Sequence, residues 1–280
     1  MRSIFYTLAV LLIFTSITGF AQTVNGVVRD AKTNEALPYV HIGVVNKNLG
    51  VISKEDGSFS VQLDKAEPSD ELLFSMIGYE TARFKVSQLG SERLNVRLQP
   101  KVYQLKEVVV RSKKDKPIPL GRSKASKTTM GHSNSSVYGF GGEWGLQIFN
   151  EGKKYSIADV QFHLRFNTMD SVLFRINIYS VKDDMPYESL LAKEVYVKSY
   201  KNKKWIVKDL RAENLTLDQN VIVTFELVRL WFDPKDDNQL FFTYGEGYEQ
   251  GKSYSRLSSQ DEWKVNALPP IAMFLSVYPD

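Results

Sequence analysis

Three histidines and no cysteine limit the chemistry open to this chain. His41, His132 and His163 stand far apart, with neither a His-x-x-x-His spacing nor a carboxylate paired with any of them. A zinc centre needs a convergent set of such donors. His41 and His163 therefore read as imidazoles on the polar sides of strands, and His132 as part of a polar linker. A serine triad would have to borrow one of the same three, and no Gly-x-Ser-x-Gly elbow is present. Calcium has weak candidates in Asp233, Asp236 and Asp237, within an oxygen-rich loop from Asp233 to Asn238, and in Asp183-Asp184. Neither loop alternates ligands about a central glycine, and Asp and Asn favour turns by bonding their own backbone. The expectation is no metal and no cofactor.

A pair of carboxylates flanking a glycosidic bond needs no motif. Glu143, Glu226 and Glu246 are thus candidates for a carboxylate-based hydrolase, the least favoured of the functional readings. Gly245 to Ser253 nearly spells a phosphate loop, but position 246 is Glu where glycine is required and no helix pattern follows. It reads as a hairpin loop. The sharpest remaining signal is aromatic: Trp231, Phe232, Tyr244, Tyr248, Tyr254 and Trp263 could form a platform for sugar rings or a peptide. Their plainer role is to fill a core or cover a strand edge.

The elements that must position these residues are strands. From Thr23 to Leu98, short alternating apolar runs are punctuated by turn residues, the pattern of a sandwich. Val40, Ile42 and Val44 fall on one face and His41 and Gly43 on the other. Asp56-Gly57 is a hairpin signal before Phe59, Val61 and Leu63. Four blocks carry a resemblance: Asn25 to Asp30, Leu37 to Ile42, Gly50 to Phe59 and Phe74 to Glu80. In that order and spacing they resemble the carboxypeptidase-regulatory-like domain, a transthyretin-like β-sandwich. The resemblance implies a non-catalytic module and supplies no catalytic residues. Leu105 to Val110 further resembles the segment that follows this module in TonB-dependent transporters of the Bacteroidetes type. The remaining length is too short for a membrane barrel, which excludes transport on this reading.

Between Arg111 and Lys127 lie seven basic residues and one acid. They account for the net charge of +4 and leave the rest of the chain mildly acidic. A basic tether of this kind is usually solvated, so no nucleic-acid partner is expected. Low apolar content over 112–136 reads as a flexible linker.

From Trp144 onward strand patterning resumes: Val160 to Phe166, Phe174 to Ile178, Val221 to Trp231, Leu240 to Tyr244 and Ile271 to Val277 alternate or run apolar. The expected fold is all-β, a transthyretin-like sandwich over 22–111 followed by a larger jelly-roll-like sandwich over 137–280. Residues 1–21 read as a signal peptide: Arg2, an apolar run to Ile17, then a small-x-small site at Gly19-Phe20-Ala21. That run is short for a membrane span, so none is expected after cleavage. Without cysteine, each exported domain must hold by apolar burial alone. Together these features predict an exported, non-catalytic binding or adaptor protein of the periplasm or cell surface, with a glycan or envelope protein as partner. The alternative is a structural envelope component without a small ligand.

Overall fold

A computed structural model describes residues 23–101, 116–133, 140–246, 251–267 and 269–279. Residues 1–21, expected to form a signal peptide, the stretch at 105–110 and Tyr248 lie outside the described residues.

The first unit comprises β1 (Thr23–Asp30), β2 (His41–Val44), β3 (Leu49–Ile52), β4 (Ser58–Gln62), β5 (Glu71–Ser75), β6 (Ala82–Lys85) and β7 (Leu94–Leu98). One sheet runs β4-β1-β7 and the other β3-β2-β5-β6. All pairings are antiparallel except β1 with β7, which are parallel. Alternation places Val28, Phe59, Val61 and Val96 of one sheet against Ile42, Leu72 and Phe74 of the other. Phe74 meets Phe59 of the other sheet edge-on at 5.2 Å, which joins the layers, and Phe84 of its own sheet edge-on at 5.6 Å. Burying each such side chain contributes about 1.5–3 kcal/mol.

The second unit contains β8 (Ile118–Gly121), β9 (Lys124–Ser133), β10 (Glu143–Ile148), β11 (Tyr155–Asn167), β12 (Ser171–Lys182), β13 (Met185–Ser189) and β14 (Val195–Tyr200). It continues with β15 (Trp205–Asp209), β16 (Thr216–Leu217), β17 (Val221–Trp231), β18 (Gln239–Glu246), β19 (Ser253–Arg256), β20 (Lys264–Asn266) and β21 (Met273–Pro279). Its first sheet runs β13-β12-β17-β10-β19-β20, with β14 also on β12. The second runs β8-β21-β11-β18-β9, with β15 and β16 on β11. Phe225 of the first sheet stacks on Phe162 and Phe242 of the second, and Phe174 meets both edge-on, centroids 4.4 to 6.1 Å apart. The fold is all-β, a transthyretin-like sandwich followed by a larger jelly-roll-like one.

Three expectations need correction. The flexible linker over 112–136 is, in its described part, two strands of the second unit: β8 pairs with β21 and β9 with β18. Edge strands need backbone partners on one side only, and charged residues such as Lys124 and Lys127 suit that position. Low apolar content therefore did not mean absence of structure, and the second unit starts near 118 rather than 137. Arg122 is not a solvated tether residue either; it is buried and donates to the Gly245 carbonyl at 2.5 Å.

The Asp56-Gly57 turn and the Gly245–Gly251 loop are not hairpins. β3 and β4 belong to different sheets, as do β18 and β19, so the strands of neither pair are hydrogen-bonded to each other. Finally, His163 is buried, with Nδ1 2.7 Å from Thr243 Oγ1 and its ring edge-on to Trp205. His132 lies in β9 rather than in a linker.

Candidate functional site: a buried charged row beneath an interdomain cleft

In β17 alternate residues serve two different layers. Val221, Val223, Phe225 and Leu227 enter the core of the second unit, whereas Ile222, Thr224, Glu226 and Val228 are buried on the opposite face. The first unit covers part of that opposite face, with His41 against Glu226 and Tyr39 against Arg175. In β12 the corresponding outward set is Arg175, Asn177 and Tyr179, and in β10 it begins with Glu143.

Strand register aligns four charged residues into one row. Arg175 stands opposite Glu226, Glu226 opposite Glu143, and Glu143 opposite Arg256, across β12, β17, β10 and β19. Arg175, Glu226 and Glu143 have no exposed surface. Taking such ions out of water costs several kcal/mol each, so each must be matched by partners. Arg175 pairs with Glu194 at 2.8 Å and Glu226 at 3.3 Å, and donates to the Tyr39 carbonyl and to Tyr196 Oη. Glu143 accepts from Thr224 Oγ1 at 2.6 Å, Asn177 Nδ2 at 3.0 Å, Tyr179 Oη at 3.1 Å and the Arg256 guanidinium.

The first unit joins this row through His41 on β2. Its Nε2 lies 2.9 Å from both Glu226 oxygens and 2.7 Å from Arg175 Nη1. Glu194 in turn accepts from the Ile77 backbone N–H at 3.0 Å. Close approach is possible because the cross-strand pair Gly43 and Gly50 leaves a bare patch on the first unit. A Cβ at Gly50 would lie 1.8 Å from the Ser259 carbonyl, so only glycine admits the 258–260 loop there. Gln260 Nε2 to Ser75 Oγ at 2.6 Å and Asn46 N to the Gln260 carbonyl at 3.1 Å complete that contact.

Burial works to raise the Glu226 carboxyl, but Arg175 and His41 prevail and hold it down at about 2. Burial also works against the Arg175 and Arg256 charges, and their carboxylate partners reverse the sign, so both guanidiniums are held protonated. His41, Glu143 and Glu226 converge with ligand atoms within 4.8 Å of one another, as a metal site would require. Guanidiniums already supply the positive charge at this cluster, and the donor set does not fit a further cation. No other such cluster occurs among the described residues, so Asp233, Asp236 and Asp237 do not converge. Their loop is closed by its own bonds, from Lys235 N to Asp233 and from Asn238 Nδ2 to the Asp233 and Asp236 carbonyls.

Above the row opens a cleft of about 580 Å³ between the units. Its floor is made by His41, Asn177, Tyr179 and Arg256, while Glu143 and Glu226 lie beneath and do not line it. Trp263 covers Arg256 at 4.8 Å and meets Tyr179 edge-on at 5.7 Å. A second, larger cleft of about 820 Å³ is mostly apolar, lined in part by Val51, Ile52, Phe140 and Val228, with Glu55 and Arg229 paired at its rim.

The predicted aromatic platform does not assemble. Trp231 ends β17 with Lys198 and Arg229 at 4.1 and 4.4 Å from its ring centroid, and Phe232 packs against the core. Tyr244 is on β18 in the other sheet. Tyr254 is fully buried, bonded to Gln147 and the Asp184 carbonyl, and has no face to offer a ligand. Only Trp263 of the described candidates lines the polar cleft. Of the carboxylate candidates, Glu143 and Glu226 are neighbours, and Glu246 lies at the exposed end of β18 in the other sheet. Arg175, Asn177, Tyr179, Glu194 and Arg256 were missed. One signal pointed to them: between Val221 and Val228 the alternation opposite to Val221, Val223, Phe225 and Leu227 also carries Ile222 and Val228, as in a strand covered on both faces.

With this geometry in place, comparison with known proteins gives one family. Residues 24–110 match the model of the CarboxypepD_reg-like domain, in agreement with the four sequence blocks. No curated protein matches the chain. Among solved structures, the crystal structure of BcpA*(D312A), the major pilin subunit of Bacillus cereus, aligns over 89 % of this chain and 68 % of its own. Identity is 10 % and the TM-score 0.19, a level at which no shared fold follows. No described helix is long and apolar enough to cross a membrane.

Proposed function

We propose that this is an exported, non-catalytic binding protein of the bacterial envelope, in which two β units act as one body and present the polar interdomain cleft to a glycan or protein partner. The observation that carries this reading is Glu143. Fully buried, it uses its hydrogen-bonding capacity to fix the side chains of Asn177, Tyr179 and Arg256, the floor of the cleft. Binding sites held by such a supporting layer are preorganised. The same fact speaks against hydrolysis. A general acid must hold a proton near neutral pH and reach the substrate, whereas Glu226 is held ionised and neither carboxylate lines the cleft.

The test presents the purified chain without residues 1–21 to a glycan array and to solubilised envelope proteins. Saturable retention, weakened by Trp263→Ala, is expected. Release of cleaved product from a retained glycan would overturn the non-catalytic reading, and retention of nothing would return the protein to a purely structural role. Export is checked by fusing residues 1–21 to a reporter active only outside the cytoplasm.

A further inference from the structure

Resting on the reading of the cleft as a binding site, we infer that its ligand is a neutral, polyhydroxylated ring compound, an uncharged saccharide rather than an acidic or amino sugar. The hydrogen-bond capacity left over on the floor carries this inference. Because Glu143 accepts from both, Asn177 must turn Nδ2 downward and Tyr179 must spend its hydroxyl proton. Asn177 Oδ1 and the remaining Tyr179 lone pair are then acceptors at the floor. Beside them, Arg256 directs Nε and Nη2 at Glu143 and keeps Nη1 as a donor.

Donors and acceptors thus alternate on one small surface. A hydroxyl serves both kinds, since it donates and accepts, whereas a carboxylate would leave the acceptors unmatched and an ammonium would leave the donor unmatched. Net charge agrees with this. With His41, the buried row and Glu194 set three basic side chains against three carboxylates, and at the mouth Lys101 and Glu188 add one charge of each sign. No strong field selects an ion. Trp263 and Tyr179 supply ring surfaces of the kind that pack against the apolar face of a sugar.

Isothermal titration of the chain lacking residues 1–21 tests this with tetrasaccharides of glucose, of N-acetylglucosamine, of galacturonate and of glucosamine. A neutral tetramer is expected to bind at least tenfold more tightly than both charged ones. Trp263→Ala should weaken that binding about threefold to tenfold, with the melting temperature and circular dichroism as controls for folding. Arg211→Ala, in an exposed pair with Asp209 on the other sheet, should leave it unchanged. Tighter binding of a charged tetramer, sensitive to Trp263→Ala, would overturn the ligand class while leaving the binding role intact. Retention of a protein partner alone, with the same sensitivity, would do likewise. Failure of every saccharide and every envelope protein to bind would remove both.

Discussion

The two faces of the sheet built on β12, β17 and β10 come from the same strands, one residue apart, and hold by opposite means. On one face Phe174, Phe225, Leu146 and Ile148 pack into an apolar core. On the other, Arg175, Glu226, Glu143 and Arg256 form a row of ions that the first unit joins through Tyr39 and His41. Apolar burial is non-directional and tolerates volume-conserving exchange. The ionic row tolerates little, because each charge depends on a partner at one register position. The first face holds the second unit together, and the second face fixes how the first unit docks.

Breaking the row at Arg175 sharpens this contrast most. Arg175→Ala leaves Glu194 and Glu226 buried without their main partner, at an expected loss of about 3–5 kcal/mol. Calorimetry should show a single unfolding transition split in two as the units part. Phe225→Ala is expected to cost a similar 3–5 kcal/mol by leaving a cavity, but to lower the second unit's own melting without splitting it. An unsplit Arg175→Ala trace would show that the row is not the lock.

Acid gives a smaller, graded version of the same break. Glu226 is held at about 2 when folded against an ordinary value of 4.5. Its contribution is therefore complete above about pH 4.5 and declines as pH falls toward 2. Urea midpoints should drop from pH 6 to pH 3, and the drop should shrink in Glu226→Gln. A surface pair sets the lower bound. Asp209 and Arg211 are both more than half exposed, so Arg211→Ala should change stability by less than about 1 kcal/mol, and salt should mask even that.

Much of the first unit was legible because its strands are short, alternate cleanly and are separated by turn residues in a familiar order. Phe59, Val61 and Leu63 announce their burial through polar neighbours. The second unit was legible as strands but not as pairings. Alternation tells which way a side chain points, and says nothing about which strand lies alongside. Asp56-Gly57 and the 245–251 loop consequently looked like hairpins although each changes sheets. β9 was hidden for a related reason, since an edge strand can be polar on both sides. The site was least legible, because Arg175, Glu226, Glu143 and Arg256 lie scattered along the chain and meet only through register. Counting aromatic residues pointed to Tyr254, whose ring the fold consumes, and to Trp263, which the cleft retains.

The parallel pairing of β1 with β7 bears on how the first unit responds to force. Gly26 to Asp30 lie alongside Leu94 to Leu98 in the same direction, so tension entering before Thr23 and leaving after Leu98 pulls the two strands past each other. Their rungs are loaded together in shear rather than opened one by one. A module held at one end and loaded at the other would resist stretching at this seam.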